Sequence, residues 1–144
     1  MTQIIVERQM DHQIDRVWGA LADLSSHVEW MKDAVALEFA TDSRTGVGTT
    51  MNVDTQVGPF RTLDVIEVTG WEDGKHIDVE HRGLVSGQGR LAAASDGDGT
   101  LVVWSEDLSF PWWLGGPITA WVARPILRRL WEGNLRRLED TLTT

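Results

Sequence analysis

Apolar residues recur every three or four positions along the last part of the chain, from Leu114 to Leu142. Residues at this spacing lie on one face of a helix, so the pattern predicts a long amphipathic helix with one apolar and one polar side. Pro125 lies within this segment and predicts either a kink or a helix that begins near Ile126. The apolar positions are Leu114, Ile118, Trp121, Val122, Ile126, Leu127, Leu130, Trp131, Leu135, Leu138 and Leu142, and the arginines between them are Arg124, Arg128, Arg129, Arg136 and Arg137.

Short segments that precede this helix alternate between apolar and polar residues and predict β-strands. Residues 3–10 form the first strand, and Asp11 is a candidate N-cap for the short helix that follows. A second short helix is expected near Ser25 to Trp30, and a strand over residues 35–39. Turn residues at 57–59, 73–74, 83 and 96–99 separate the remaining strands. We therefore expect an α+β fold with a single domain over residues 1–144.

The turns also predict how the strands pair. A two-residue turn at Asp73 and Gly74, a three-residue turn at 83–85 and a four-residue turn at 96–99 each set the register of one hairpin. The predicted partners are Val68 with Val79, Ile66 with His81, Ile77 with Leu91, Val79 with Gly89, Leu91 with Trp104, and Gly89 with Glu106. One face of the sheet is then apolar, with Met51, Val53, Phe60, Ile66, Val68, Ile77, Val79, Leu91, Ala93, Val102, Trp104 and Leu108, and the other is polar, with His76, Asp78, Glu80, Arg82, Gln88 and Arg90.

An apolar sheet face must be covered, and one helix is a narrow cover for it. A curved sheet around the terminal helix would leave a space between the two, and this predicted cavity is the candidate ligand site. The residues predicted to line it are Met51, Val53, Ile66, Val68, Val79, Leu91, Val102, Trp104, Leu108, Trp121 and Val122.

Three titratable residues, Asp64, His81 and Glu106, fall on the otherwise apolar face. Burial raises the pKa of a carboxyl group, and a neighbouring histidine can exchange a proton with it, so these residues are the candidate catalytic set. The alternative is a structural ion pair at the solvent-exposed end of a strand. Gly87 and Gly89 lie beside this set, and they predict either unfilled volume for a ligand or relief of strain at a bend.

Composition and charge narrow the classes of function. The chain has 8 Trp residues but no Tyr and no Cys, so flat aromatic walls are available whereas thiol chemistry and disulfides are not. Residues 1–113 carry 8 basic and 19 acidic residues, residues 114–144 carry 5 and 3, and the net charge is −9. This acidic balance disfavours a nucleic-acid partner. No histidine or acidic pattern matches a metal motif, and neither a metal nor a cofactor is expected.

The hydropathy of the chain bears on membranes in two places. No segment approaches the roughly 18 apolar residues that span a bilayer, so we expect no integral membrane segment and a cytoplasmic location. Trp112 and Trp113 lie where the last strand leads into the helix. We expect one ring in the core and one at the cavity rim, since large apolar patches rarely stay exposed. The alternatives are a gate over the cavity mouth and a patch for a partner or a membrane surface.

Several short strings together resemble the START-like superfamily, which includes polyketide cyclases and dehydrases and is related to the pollen allergens. These strings are Val17-Trp18, Ala22-Asp23 and Trp30 near the start, Gly46-Val47-Gly48-Thr49, Val68-Thr69-Gly70-Trp71-Glu72 and Gly99 to Trp104 in the strands, and Gly116-Pro117 to Glu139 in the last helix. The resemblance implies a helix-grip fold, β-α-α-β6-α, in which a curved antiparallel sheet wraps a long C-terminal helix over a cavity. Members commonly have Ala-Pro before the first helix, where this chain has His12-Gln13.

Three functions follow from these observations. The first is binding of a small hydrophobic or aromatic molecule, lipid-like or polyketide-like, in the predicted cavity by a monomer or homodimer. The second is a cyclase or dehydratase in the same cavity, in which His81 removes a proton next to a carbonyl and a carboxylic acid protonates the carbonyl oxygen. The third is a regulatory protein that binds a partner through Trp112, Trp113 and the long helix. Fold alone does not decide between them.

Overall fold

The computed structural model describes residues 2–143, which form seven strands and three α-helices in the order β-α-α-β6-α. The strands are β1 (Thr2–Met10), β2 (Ala34–Phe39), β3 (Thr50–Val57), β4 (Phe60–Glu72), β5 (His76–Arg82), β6 (Ser86–Asp96) and β7 (Gly99–Ser109). The α-helices are α1 (Ile14–Ala22), α2 (His27–Trp30) and α3 (Pro117–Thr143), with 3₁₀ turns at Leu24–Ser26 and Trp112–Leu114.

The seven strands form one antiparallel sheet in the order β1-β7-β6-β5-β4-β3-β2. Strands β3 to β7 are successive neighbours joined by short turns, whereas β1 and β2 lie at opposite edges. The segment between β1 and β2, which contains α1 and α2, therefore crosses from one edge to the other. With α3 this is the α+β helix-grip architecture that the sequence predicts.

All six predicted strand pairings are confirmed, from Val68 with Val79 to Gly89 with Glu106. The predicted two-residue turn at Asp73 and Gly74 is wrong, because Glu72 pairs with His76 and the connection includes Lys75. A register shift between Val68 and Gly70 compensates for the extra residue. A bulge adds one residue to one strand only. The bulge in β4 therefore offsets the extra residue of the turn, and the predicted pairs and the inward face are preserved.

Two smaller expectations are also wrong. Asp11 does not cap α1; Gln13 takes the N-cap position and its carbonyl accepts from the backbone N–H of Arg16 and Val17. The backbone N–H of Asp11 instead donates to Glu139 in α3. Phe60 is on the predicted apolar face but is 68% exposed, because it opens β4 at the tip of the β3–β4 hairpin, beyond the reach of the core.

The core has two adjoining clusters. The larger one joins β1, β6 and β7 to α1, α2 and the C-terminal part of α3. The smaller one contains residues of β2, β3, β4 and β5 together with Leu24. Trp18 and Met31 contact both clusters, and Trp18 also packs edge-on against Trp71 of β4 at 6.0 Å. Helix α3 packs chiefly against β1. It therefore lies toward one side of the sheet instead of over its centre.

Helix α3 has two dissimilar halves. Its last part, from Trp131 to Leu142, forms the anchored half, in which Asn134, Leu135 and Leu138 are fully buried. Its first part begins at Pro117, so the alternative of a helix that starts near Ile126 is wrong, and Pro125 lies inside the helix. Here Ala120 is buried and Leu127 and Leu130 pack on the core.

The opposite face of this first part is a row of exposed apolar side chains, which we call the outer stripe. It consists of Ile118 (73% exposed), Trp121 (78%), Val122 (53%) and Ile126 (55%). Trp121 and Val122 are therefore not cavity-wall residues as predicted. Trp112 and Trp113 are also both exposed, at 86% and 61%, so the expectation that one ring enters the core is wrong. The first half of α3 is apolar on two faces, and periodicity alone does not reveal which face the core covers.

Candidate functional site

His81 and Glu106 contact each other on the inner face of the sheet. His81 Nε2 lies 2.9 Å from Glu106 Oε2, and Trp104 Nε1 donates to Glu106 Oε1 at 2.9 Å. Strands β5 and β7 do not pair directly; β6 lies between them and contributes Gly89 at this level. A Cβ atom at Gly89 would overlap the Glu106 carboxylate, so this glycine makes room for the pair instead of leaving empty volume.

The charge state of His81 follows from its surroundings. Burial acts to lower the pKa of His81, but the Glu106 carboxylate, together with the fields of Asp64 and Asp33, more than offsets it, so the pKa lies above its ordinary value. The protonated form of His81 thus persists to a higher pH than that of a free imidazole. Glu106 is 5% exposed and both of its oxygens accept hydrogen bonds, which hold the side chain in one orientation.

Asp64, the third predicted catalytic residue, also faces inward, two residues along β4 from Ile66, which pairs with His81. Thr62 donates to the Asp64 carboxylate at 3.2 Å, and a Cβ at Gly83 would overlap that carboxylate. The structure gives Asp64 no hydrogen bond to His81, although its charge acts on the imidazole. The three residues therefore comprise one tight pair and a nearby second carboxylate.

Stacked tryptophans adjoin this pair. The ring of Trp104 lies 5.0 Å from that of Trp131 in a stacked arrangement and 6.1 Å from that of Trp30, edge-on. The residue that holds Glu106 is thus packed directly on α3. Trp104 and Trp131 are 5% and 6% exposed, so these stacked rings lie in the core.

Sequence reasoning did not identify the polar residues that fasten α3 here. Asp33 accepts from Trp131 Nε1 at 3.2 Å and from Asn134 Nδ2 at 2.7 Å, and Asn134 Oδ1 accepts from the backbone N–H of Lys32 at 3.1 Å. Arg137 adds a bond to the Trp30 carbonyl at 3.2 Å. An asparagine on the apolar face of a predicted helix was the one available signal, because a buried amide needs partners.

The inner face beside this pair is only partly covered. We call it the inner cleft, and its inward-facing side chains are Asp64, Ile66, Val79, His81, Leu91 and Glu106. Ile66, Val79 and Leu91 are half-buried, and the His81 side chain is 20% exposed. Of the other predicted wall residues, Met51, Val53, Val68, Val102, Trp104 and Leu108 are buried in the core.

Two depressions are open to solvent: one of about 220 Å³ whose lining includes Asp78, Arg90 and Glu106, and one of about 470 Å³ beside Phe39 and Arg44. Helix α3 packs chiefly on β1, and on the central strands Ile66, Val79 and Leu91 stay half-buried while the His81 side chain is 20% exposed. The candidate ligand site is therefore an open cleft.

No group of three or more His, Asp or Glu side chains within residues 2–143 is placed to hold a metal ion. In the same range, no helix has both the length and the hydropathy that crossing a bilayer requires.

Solved structures share this fold. A Thermus thermophilus protein is 20% identical, the match covers 98% of this chain and 97% of that one, and the TM-score is 0.77. Ginseng major latex-like protein 151 from Panax ginseng is 11% identical over 99% and 97%, with a TM-score of 0.76. A putative protein in the dynemicin biosynthetic locus is 18% identical over 100% of this chain and 48% of that one, with a TM-score of 0.73. At these identities the matches show the fold alone.

Sequence comparison is more specific about the family. No curated protein matches the chain. The family model described as polyketide cyclase / dehydrase and lipid transport, however, matches residues 1–144. The chain therefore belongs to the polyketide cyclase/dehydrase and lipid transport family, and its sheet and long terminal helix form the START-like helix-grip fold.

Proposed function

We propose that this protein binds a small hydrophobic or aromatic molecule, lipid-like or polyketide-like, in the inner cleft. The observation that carries the proposal is a solvent-accessible apolar surface, formed by Ile66, Val79 and Leu91, next to one polar pair, His81 and Glu106. Binding sites for small molecules have this composition, in which apolar walls supply affinity and a few polar groups fix orientation. The family description, which names polyketide chemistry and lipid transport, agrees with a ligand of this class.

A fluorescent apolar probe, anilinonaphthalene sulfonate, tests the proposal. We expect the probe to bind the wild-type chain and to quench Trp emission, because Trp104 lies beside the cleft. Ile66→Trp fills the cleft and should weaken probe binding about tenfold or more, since it removes the apolar surface that the probe contacts.

Leu63→Trp is the matched control, because Leu63 lies on the same strand, β4, but is 72% exposed. It should leave probe affinity within about twofold of wild type. Trp121→Ala should also leave it unchanged, since the outer stripe lies outside the cleft. Equal probe binding by Ile66→Trp and Leu63→Trp would contradict a ligand site in the inner cleft.

A second candidate function, acid–base catalysis on a carbonyl compound, is favoured by the 2.9 Å contact between His81 and Glu106. For this function we propose roles that differ from those expected from the sequence. Glu106 accepts hydrogen bonds at both oxygens and so positions His81, whereas the protonated His81 is the proton donor to a carbonyl oxygen. Asp64, the second carboxylate of the cleft, is the base that takes the proton from the adjacent carbon, and the product is an enol.

Proton exchange measures this chemistry without knowledge of the natural substrate. In deuterated buffer, the protein should accelerate deuterium incorporation at the methyl group of acetophenone, followed by NMR. His81→Gln should abolish the acceleration while it keeps a donor for Glu106. His76→Gln, on the outer face of the same strand, is the matched control. Exchange at the same rate in His81→Gln would remove His81 from any such mechanism, while probe binding would still test the ligand site.

A further inference from the structure

Exposed apolar side chains are concentrated in the segment that runs from Trp112 through the outer stripe to Ile126. Trp112, Trp113, Ile118, Trp121, Val122 and Ile126 are each more than half exposed. Within α3, Ile118, Val122 and Ile126 follow one another at spacings of four and Trp121 comes three positions after Ile118, so the four stripe residues share one side of the helix. This side is opposite the one that carries Ala120, Leu127 and Leu130 to the core. Six large exposed apolar side chains in one short segment exceed the scattered exposure that monomeric proteins normally show.

The charge of this segment differs from that of the rest of the chain. Between Asp107 and Glu132 the sequence has no acidic residue and three arginines, Arg124, Arg128 and Arg129, although the whole chain has a net charge of −9. All three arginines are exposed. Arg128 contacts Glu132 at 3.4 Å in a surface pair that contributes little, and within residues 2–143 neither Arg124 nor Arg129 has an ion-pair partner. The apolar surface is therefore bordered by positive charge.

We propose that this surface, residues 112–129, docks the protein on an anionic lipid membrane. Helices that lie in the plane of a bilayer interface have an apolar side of Trp, Ile and Val beside arginines that meet anionic headgroups. Indole rings favour the interface because one edge is polar and the rest is apolar. Three of the 8 Trp residues of the chain lie on this surface.

A second copy of the chain fits this surface less well. In a two-fold symmetric dimer the same patch meets itself, so the arginines of one copy would meet a patch that also carries arginines and has no acidic residue between Asp107 and Glu132. A stable protein interface also needs roughly 20 to 30 residues on each side, far more than this narrow surface offers. Charge complementarity thus favours an anionic surface over self-association.

Vesicle binding tests the proposal with the full chain and no added ligand. The probes are phosphatidylcholine vesicles with and without one quarter phosphatidylglycerol, and the readouts are co-sedimentation and a blue shift of Trp emission. We expect binding to the anionic vesicles that weakens in high salt, and little binding to pure phosphatidylcholine. A triple variant, Trp112→Ala with Trp113→Ala and Trp121→Ala, should lose at least tenfold in affinity, because the apolar contact is removed. Arg124→Gln and Arg129→Gln should each lose about fivefold.

Two controls keep the test specific. Arg136→Gln removes an exposed arginine of the same helix beyond the surface and should bind like wild type. Ile66→Trp, which fills the inner cleft, should also bind like wild type, so that failure of the ligand proposal is distinguishable from failure of this one. No binding to anionic vesicles, equal binding by the triple variant, or a concentration-dependent dimer that disappears in the triple variant without vesicle binding would each overturn the proposal.

Discussion

The two halves of α3 have similar apolar content but opposite surroundings. In the anchored half, Leu135 and Leu138 are inside the larger core cluster, and Asn134 is bonded to the segment before β2. In the first half, the larger apolar residues of the outer stripe are in solvent. One continuous helix thus serves as a structural element at one end and as a free surface at the other. Apolar content alone therefore does not tell whether a helix residue contributes to stability.

The largest expected difference between the halves is in stability. Leu138→Ala should lower the free energy of unfolding by roughly 2–5 kcal/mol, because a fully buried side chain is replaced by a cavity. Ile126→Ala, in the first half, should change it by less than about 0.5 kcal/mol. Urea denaturation followed by circular dichroism measures both variants. Similar losses in the two variants would contradict the division of the helix.

Acid should loosen the region on which the anchored half packs. His27 in α2 packs against Trp30, whose carbonyl is bonded to Arg137, and His27 Nε2 lies 2.8 Å from the Leu21 carbonyl. Burial lowers the pKa of His27 to about 4 from its ordinary 6.5, while the Leu21 carbonyl and Asp23 act in the opposite direction.

The His27 imidazole therefore takes up a proton at a higher pH in the unfolded chain than in the folded one. Stability is unaffected above pH 6.5 and falls as the pH drops toward 4, by about 3 kcal/mol in all. His27→Gln keeps a donor for the Leu21 carbonyl without titrating, so its stability should vary less over this range. His81, whose pKa is raised, is protonated in both states there; its contribution is lost only as the pH rises through its folded pKa. Equal pH dependence in wild type and His27→Gln would contradict this assignment.

The polar anchor should have an intermediate effect. Asn134→Leu leaves the Lys32 N–H and one Asp33 oxygen without their partner, which should cost about 2 kcal/mol. Arg136→Gln, two residues away and exposed, should cost almost nothing. Thermal unfolding of both variants tests whether the amide fastens α3, and an Asn134→Leu variant as stable as Arg136→Gln would show that it does not.

The smallest change in stability is expected for the outer stripe, in the first half of α3. Trp121→Ala removes the largest side chain of the outer stripe, yet it should alter the free energy of unfolding by less than about 0.5 kcal/mol, because this ring is 78% exposed. Denaturation in the absence of vesicles measures this value. A loss as large as that of a core tryptophan would mean that the ring is covered in solution and that the outer stripe is not free.

Much of the sheet was predictable because its contacts are local. Each hairpin from β3 to β7 closes through a few residues, and an inward face of alternating apolar residues leaves one register for each pair. The contact of His81 with Glu106 followed from two such registers, through Gly89. The turn at Asp73 is one residue longer than predicted, but the bulge near Thr69 compensates for it, so the predicted strand pairs and inward face are unchanged.

The errors that changed the predicted ligand site concern contacts between distant parts of the chain. The sequence predicts Trp121 and Val122 in a cavity wall. Helix α3 follows the last strand in the chain and its first half has two apolar faces, and either face could pack on the sheet. The Asp33–Asn134 bond joins residues 101 positions apart, and no local pattern indicates such a pair.

The sequence by itself determined the order of the elements, the registers of the hairpins from β4 to β7, the presence of a long terminal helix and the inward position of Asp64, His81 and Glu106. Only the tertiary structure decided that α3 packs on β1, that the cleft beside His81 is open and that the outer stripe faces solvent. The reason is physical: hairpin pairing depends on turn length and a two-residue period within a few residues. The position of a helix on a sheet depends instead on packing summed over many side chains that are far apart in the chain.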